Sequence, residues 1–221
     1  MARRIIGAVF VSLDGVIQAP GGIEEDRSGG FPHGGWLAPV GDEAIGDTIG
    51  PLFDGDFALL LGRRTHDIFA AYWPFMPMDD PIAASFARAE KFVLSRSGRT
   101  LDWQGSHRLA SIDELAEVKA GTGPDLVIQG SSTLYPQLLA HGLLDRVTML
   151  IAPVLLGTGK RLFGDGTPPA TLRLVDHAIG SKGMIRATYE PAGAVAYAPS
   201  GPEVINDAET ARRARIDRGT W

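Results

Sequence analysis

"LLLGRRTHDIF", Leu59 to Phe69, decides how the rest of the chain is read. Three leucines close an apolar run that begins at Phe57, and Gly62 ends it. From Arg63 to Tyr72 the apolar residues take helical spacing. A short buried strand passing straight into a helix is the repeating unit of an α/β fold. The junction also carries chemistry. A helix N-terminus holds unpaired N–H groups and partial positive charge, which favour a phosphate. Arg63 and Arg64 add full charges with a fork that fits phosphate oxygens, and Thr65 adds a hydroxyl. A solvated arginine pair on an ordinary helix start explains the same residues equally well.

The unit recurs along the chain. Ile5–Ser12 (IIGAVFVS) reads as a central strand, with a turn at Asp14-Gly15. Pro20 to Gly35 holds six glycines and two prolines and reads as a long loop. Asp42 to Ile49 is a helix, and so is Pro81 to Ala89. Lys91 to Ser95 and Asp125 to Gln129 are strands; Ser111 to Lys119 opens with a capping-box pattern and is a helix. Ser131 to His141 is a helix and Arg146 to Ile151 a strand. Two late strands, near Thr171 to His177 and Gly183 to Glu190, have no helix between them. The alternation predicts a three-layer α/β domain: a mainly parallel central sheet, helices on both faces and an antiparallel C-terminal edge. After Pro191 the composition turns small and proline-containing, so the domain is expected over 1–191 and an extension over 192–221. Within that extension Ala208 to Arg218 reads as a short helix.

Bulk composition narrows the function. The 221 residues carry a net charge of −5, so the molecule as a whole has no electrostatic reason to seek nucleic acid. With no cysteine there is no disulfide, thiolate nucleophile or cysteine zinc site, and a cytoplasmic location is expected. The apolar N-terminal run is too short for a membrane span. The five histidines show no metal-ligand spacing. "LLGTGKRLFG" fails the phosphate-loop pattern at Val154 and Arg161, and no Gly-x-Ser-x-Gly elbow is present.

Three strand ends share small and cationic residues: Gly62 to Thr65, Ser95-Arg96-Ser97 and Gly130-Ser131-Ser132-Thr133. Open α/β sheets bind ligands outside the carboxyl ends of their strands, and three such junctions suit a nucleotide. They also carry a resemblance. "GRRT" resembles the Gly-Arg-x-Thr motif of the dihydrofolate reductase superfamily, "FVLSRSG" its next cofactor strand, and "LVIQGSSTLYPQLL" its third cofactor segment. "LDGVI" is similar in place to the segment lining the nicotinamide pocket. "VSLDGVI" and "GLLDRVTMLIAPVLLGTGKRLF" resemble the reductase domain of the riboflavin-biosynthesis deaminase–reductase, and still more the stand-alone small proteins of that branch. The resemblance spans Arg3 to Pro191.

The resemblance implies an NADPH-dependent reductase that transfers hydride to a small heterocyclic or carbonyl substrate, for example a ribosylaminopyrimidine or a pterin, and a homodimer. A nucleotide-binding protein without turnover is the alternative. Gly62, Arg63, Arg64 and Thr65 would hold cofactor phosphates. Ser95 and Arg96 would lie near the adenine ribose, with Arg63 or Arg96 facing a 2′-phosphate. Gly130, Ser131, Ser132, Thr133 and Leu134 would meet the pyrophosphate. Ser131 stands where the superfamily has a second glycine, so its side chain either crowds the pyrophosphate or supplies a hydroxyl in place of an N–H. Val16, Trp36 and Tyr72 are the expected substrate-side residues, and Asp14 and Asp42 the expected proton donors, with ordinary turn and helix-start roles as the competing explanation.

Overall fold

The computed structural model describes residues 2–201, 203 and 205–220. Met1, Pro202, Val204 and Trp221, which belong to the expected domain and extension, lie outside the described residues. The strands are β1 (Ile5–Ser12), β2 (Phe57–Gly62), β3 (Lys91–Leu94), β4 (Ser106–Leu109), β5 (Asp125–Gln129), β6 (Arg146–Ala152), β7 (Leu172–Ile179) and β8 (Ile185–Pro191). The helices are α1 (Glu43–Leu52), α2 (Arg63–Ala70), α3 (Pro81–Arg88), α4 (Ile112–Ala120), α5 (Leu134–Ala140) and α6 (Asp207–Asp217).

One eight-stranded sheet runs in the order β4-β3-β2-β5-β1-β6-β8-β7. The pairings from β4 through β6 are parallel, and β6–β8 and β7–β8 are antiparallel. This is the mainly parallel sheet with an antiparallel C-terminal edge expected from the alternation of elements.

Strand periodicity builds the two hydrophobic layers. On β2, Phe57, Leu59 and Leu61 face one core, and Ala58 and Leu60 face the other. On β1, Ala8 joins the first core, and Ile5, Val9 and Val11 the second. Successive side chains on a strand point to opposite faces, so a strand covered on both sides must be apolar at every position. The first layer is closed by α1, α2 and α3 through residues such as Ile49, Phe69 and Phe86. The second is closed by α4 and α5 through Leu115, Leu134 and Leu138. Leu59, Leu60 and Leu61 are fully buried, each contributing about 1.5–3 kcal/mol of transfer free energy.

Two elements differ from the sequence reading. The strand β4 was not foreseen, because an outer strand with two exposed positions shows no apolar pattern. The helix after β5 starts at Leu134 rather than Ser131, because Ser131 has φ +63° and cannot belong to a right-handed helix. Beyond β8, α6 buries no residue.

Two buried polar groups mark the core. Tyr135 packs under β1, where Gly7 leaves room for it: a Cβ at Gly7 would lie 2.5 Å from the phenol oxygen. That oxygen has no hydrogen-bond partner among the described residues, and burial pushes its pKa up. Lys91 is fully buried on β3; its Nζ donates to the Gln104 carbonyl at 3.1 Å and sits 4.5 Å from the Trp103 ring centre. Desolvation pushes its ammonium down to about 8.

Gly7→Ala is expected to cost about 1–3 kcal/mol through overpacking. Tyr135→Phe is expected to be neutral or to gain about 1 kcal/mol by removing an unpaired hydroxyl. Urea denaturation of both variants measures these effects. Lys91 yields a pH signature. Between about 8 and the ordinary lysine value of 10.5, the unfolded chain keeps a proton that the folded chain has lost, so stability rises with pH. Wild type should therefore gain on Lys91→Met across that window, and parallel stability curves would contradict the assignment.

Candidate active site at the carboxyl edge of the sheet

The strands β2, β5 and β1 are sheet neighbours and run the same way, so their carboxyl ends open onto one edge. A cleft of about 1310 Å³ lies there. Gly62, Arg63, Arg64 and Thr65 line it from the β2–α2 junction, and Gly130, Ser131, Ser132 and Thr133 from the β5–α5 junction. A third wall is the segment Ile17 to Arg27 that follows β1. Phe69, Tyr72 and Trp73 line it from the far end of α2. The eight residues of α2 place those aromatics about 12 Å along the axis from its N-terminus.

Ser131 joins the first two walls. Its hydroxyl accepts from the Gly62 N–H at 2.8 Å and donates to Thr65 Oγ1 at 2.7 Å. Gly130 and Ser131 both take positive φ, +85° and +63°, which turns the serine toward β2. The hydroxyl is thus engaged within the protein, holding two strand–helix junctions in register. A side chain larger than hydrogen at Gly62 would press on it, since a Cβ there lies 3.2 Å from Ser131 Oγ.

The two arginines differ. Arg63 is held: Nε donates to Asp67 at 2.8 Å and Nη1 to the Arg99 carbonyl at 3.1 Å. Asp67 also meets His66 Nδ1 at 3.3 Å, and His66 Nε2 meets Ser106 Oγ of β4 at 3.1 Å. Desolvation raises the Asp67 carboxyl, but the Arg63 and His66 hydrogen bonds outweigh it and leave the pKa lowered. Arg64 is exposed and has no hydrogen-bond or ion-pair partner among the described residues. It also borders a side recess of about 390 Å³ shared with Gln18 and Lys160.

Several expected site residues lie elsewhere. Neither expected proton donor lines the cleft. Asp14 accepts from the Ser12 hydroxyl at 2.6 Å and from the N–H groups of Leu156 at 3.1 Å and Gly157 at 2.8 Å, tying the β1 turn to the chain after β6. The Ser12 hydroxyl, followed by those N–H groups, holds its carboxyl down at about 2. Asp42 caps α1 through the Ala44 N–H at 3.1 Å and accepts from Lys182 and Met184 in the β7–β8 turn. Both carboxylates are consumed by backbone donors. Val16 is fully buried, and Trp36 is buried with its indole N–H on the Gln18 carbonyl. Of the three expected substrate-side residues, Tyr72 alone lines the cleft. Ser95, Arg96 and Leu134 also fall outside its lining: β3 stands one strand further out, and Leu134 belongs to the core.

The wall from Gln18 to Arg27 was missed as a source of site residues. Gln18 Nε2 donates to the carbonyls of Asp26 and Ser28, each at 3.0 Å, and its Oε1 accepts from the Lys160 N–H at 3.1 Å. Lys160 Nζ pairs with Asp26 and donates to Ser28 Oγ at 2.7 Å. A glycine-rich composition signals a loop but not which of its carboxylates faces inward.

The fold is dihydrofolate reductase-like, with a large cleft at its strand ends. The chain belongs to the RibD C-terminal domain family, which matches residues 3–185. The Bacillus subtilis (strain 168) protein YyaP, itself uncharacterised, is 28% identical over 193 residues, covering 85% of this chain and 94% of its own. A putative riboflavin biosynthesis protein from Shewanella sp. PV-4 superposes with TM-score 0.64 at 24% identity, covering 87% of this chain and 99% of its own. Dihydrofolate reductase from Enterococcus faecalis, solved with NADP(H) and RAB-propyl, superposes with TM-score 0.54 at 17% identity, covering 86% and 99%. No helix among the described residues is long and apolar enough to cross a membrane.

Ser131→Ala removes a bond between two junctions and leaves the Gly62 N–H unpaired; a loss of about 1–3 kcal/mol is expected in chemical denaturation. Asp14 has a depressed carboxyl pKa, so its stabilisation is present above the ordinary value of 3.8 and is lost as pH falls toward 2. The stability advantage of wild type over Asp14→Asn should accordingly vanish across that interval.

Proposed function

We propose that the protein is an NADPH-dependent reductase that transfers hydride to a small heterocyclic or carbonyl substrate. The ribosylaminopyrimidines of riboflavin biosynthesis and the pterins fall within that range. The observation that carries this reading is the pairing, in one cleft, of a cationic helix start with the turn that Ser131 fastens to it. The α2 N-terminus offers backbone N–H groups with no side-chain cap, and Arg64 offers an uncommitted guanidinium beside them. Both features fit phosphates. Arg63 is oriented by Asp67 and Arg99, which suits a fixed anion such as a 2′-phosphate. Bound NADPH supplies the hydride. The protein binds and orients: Gly62 to Thr65 and Gly130 to Thr133 take the phosphates, and Tyr72 and Trp73 give a flat partner for a planar ring. Membership of the RibD C-terminal domain family and the fold shared with dihydrofolate reductase support this reading. A homodimer and a cytoplasmic location complete it.

The test is direct. NADPH is expected to raise the melting temperature and to change its own fluorescence on mixing; no response at millimolar NADPH sinks the proposal. Oxidation of NADPH with a panel of pterins, pyrimidines and quinones identifies the substrate. Binding without oxidation of any of them favours a nucleotide-binding protein that does not turn over. Arg63→Ala is expected to weaken NADPH roughly 10- to 100-fold, the worth of a charge-assisted hydrogen bond, and to leave NADH nearly unchanged. Equal losses for both contradict the 2′-phosphate assignment.

A further inference from the structure

Four carboxylates line the cleft: Glu24, Glu25, Asp26 and Asp67. Three are ion-paired. Glu24 pairs with Arg27 at 3.1 Å and is exposed. Asp26 pairs with Lys160 and takes the Ser28 hydroxyl at 2.6 Å. Asp67 pairs with Arg63 and contacts His66. Glu25 has no cation among the described residues. One of its oxygens, Oε2, accepts from the N–H groups of Gly21 at 2.7 Å and Gly22 at 3.0 Å. The other, Oε1, has no hydrogen-bond partner among the described residues.

This arrangement is suited to a proton. The two glycine N–H groups fix the side chain against the cleft wall without neutralising it through an ion pair. Desolvation raises its pKa; the glycine N–H groups oppose that, and the neighbouring negative charge of Asp26 adds to it. The cations that face the cleft are Arg27, Arg63 and Lys160, each committed to another carboxylate, and Arg64, which has no partner among the described residues.

We propose that Glu25 is the acid of this cleft, the residue that meets the substrate and gives a proton to the heteroatom beside the carbon that receives hydride. The inference rests on the reductase reading above. The substrate class it selects is a C=N heterocycle or a carbonyl whose basic atom accepts a hydrogen bond from a neutral carboxyl. The step balances. The C=N or C=O carbon gains a hydride from the reduced nicotinamide, which leaves oxidised. The nitrogen or oxygen gains the Glu25 proton, and Glu25 is left as a carboxylate that is reprotonated from solvent.

Glu25→Gln tests this, because its amide oxygen still accepts from Gly21 and Gly22 and preserves the turn. Two readouts are needed. In ¹³C-glutamate-labelled protein, the signal missing from the variant reports Glu25, and it should titrate above the ordinary glutamate value of about 4.3. In single turnover with NADPH and the compound selected from the panel, the variant should be slower by roughly 10²- to 10⁴-fold. The wild-type rate should fall as pH rises through the Glu25 pKa, the variant should show no such fall, and NADPH binding should be unchanged. A carboxyl that titrates at or below 4.3, or a variant with the wild-type rate and pH profile, overturns the inference while the reductase reading stands. Failure of the wild-type protein to bind NADPH overturns both.

Discussion

The Ser131 hydroxyl fastens two walls of the cleft to each other. Its bonds to the Gly62 N–H and to Thr65 join the ends of β2 and β5, and those two ends supply the cationic and the glycine-rich walls. The bond to Gly62 pairs an amide at a helix entrance that lacks any side-chain cap. For the serine to reach that far, residues 130 and 131 must both turn left-handed. Glycine does so freely, whereas serine adopts such a conformation at some cost. The two hydrogen bonds offset that cost.

The rest of the site follows from how the backbone uses its carboxylates. Asp14 and Asp42 look alike in sequence to Glu25 and Asp26: acids in or beside glycine-containing turns. Folding separates them. Asp14 collects donors from the chain after β6, and Asp42 collects donors from the β7–β8 turn, so both are structural ties between segments distant in sequence. Asp26 and Lys160 form a similar tie in the cleft lining, with Gln18 bonded to the backbone of both residues. Such ties neutralise a carboxylate or saturate its lone pairs. Among the described residues, Glu25 is the cleft acid left with neither an ion pair nor a second occupied oxygen.

Much of the fold was legible because a parallel sheet buried on both faces must be written as unbroken apolar strands. Ile5–Ser12, Phe57–Leu61 and Asp125–Gln129 have that character, and each was placed within a residue or two of its observed bounds. The edge strand β4 does not, since half of its residues are exposed and its pairing with β3 rests on backbone hydrogen bonds that leave no trace in side-chain pattern. The phosphate-facing junctions were legible for a similar reason. A glycine followed by arginine or small hydroxyl residues at a strand end is a local pattern, and strand–helix junctions are local structure. Ser95 and Arg96 share that pattern but sit beside β3, one strand too far out to line the cleft.

The sequence by itself determined the alternation of strands and helices, the two-sided core, the antiparallel edge and the cationic start of α2. These depend on residues close in the chain, and periodicity and junction chemistry express them directly. Only the tertiary structure decided which carboxylates face the cleft and that Ser131 points at β2. It also decided that Arg63 donates to the Arg99 carbonyl, while Arg64 has no partner among the described residues. Each of those outcomes depends on partners brought together by the order of strands in the sheet, and a hydrogen-bond partner 69 residues away, as for Ser131, or 143, as for Asp14, is invisible to local pattern.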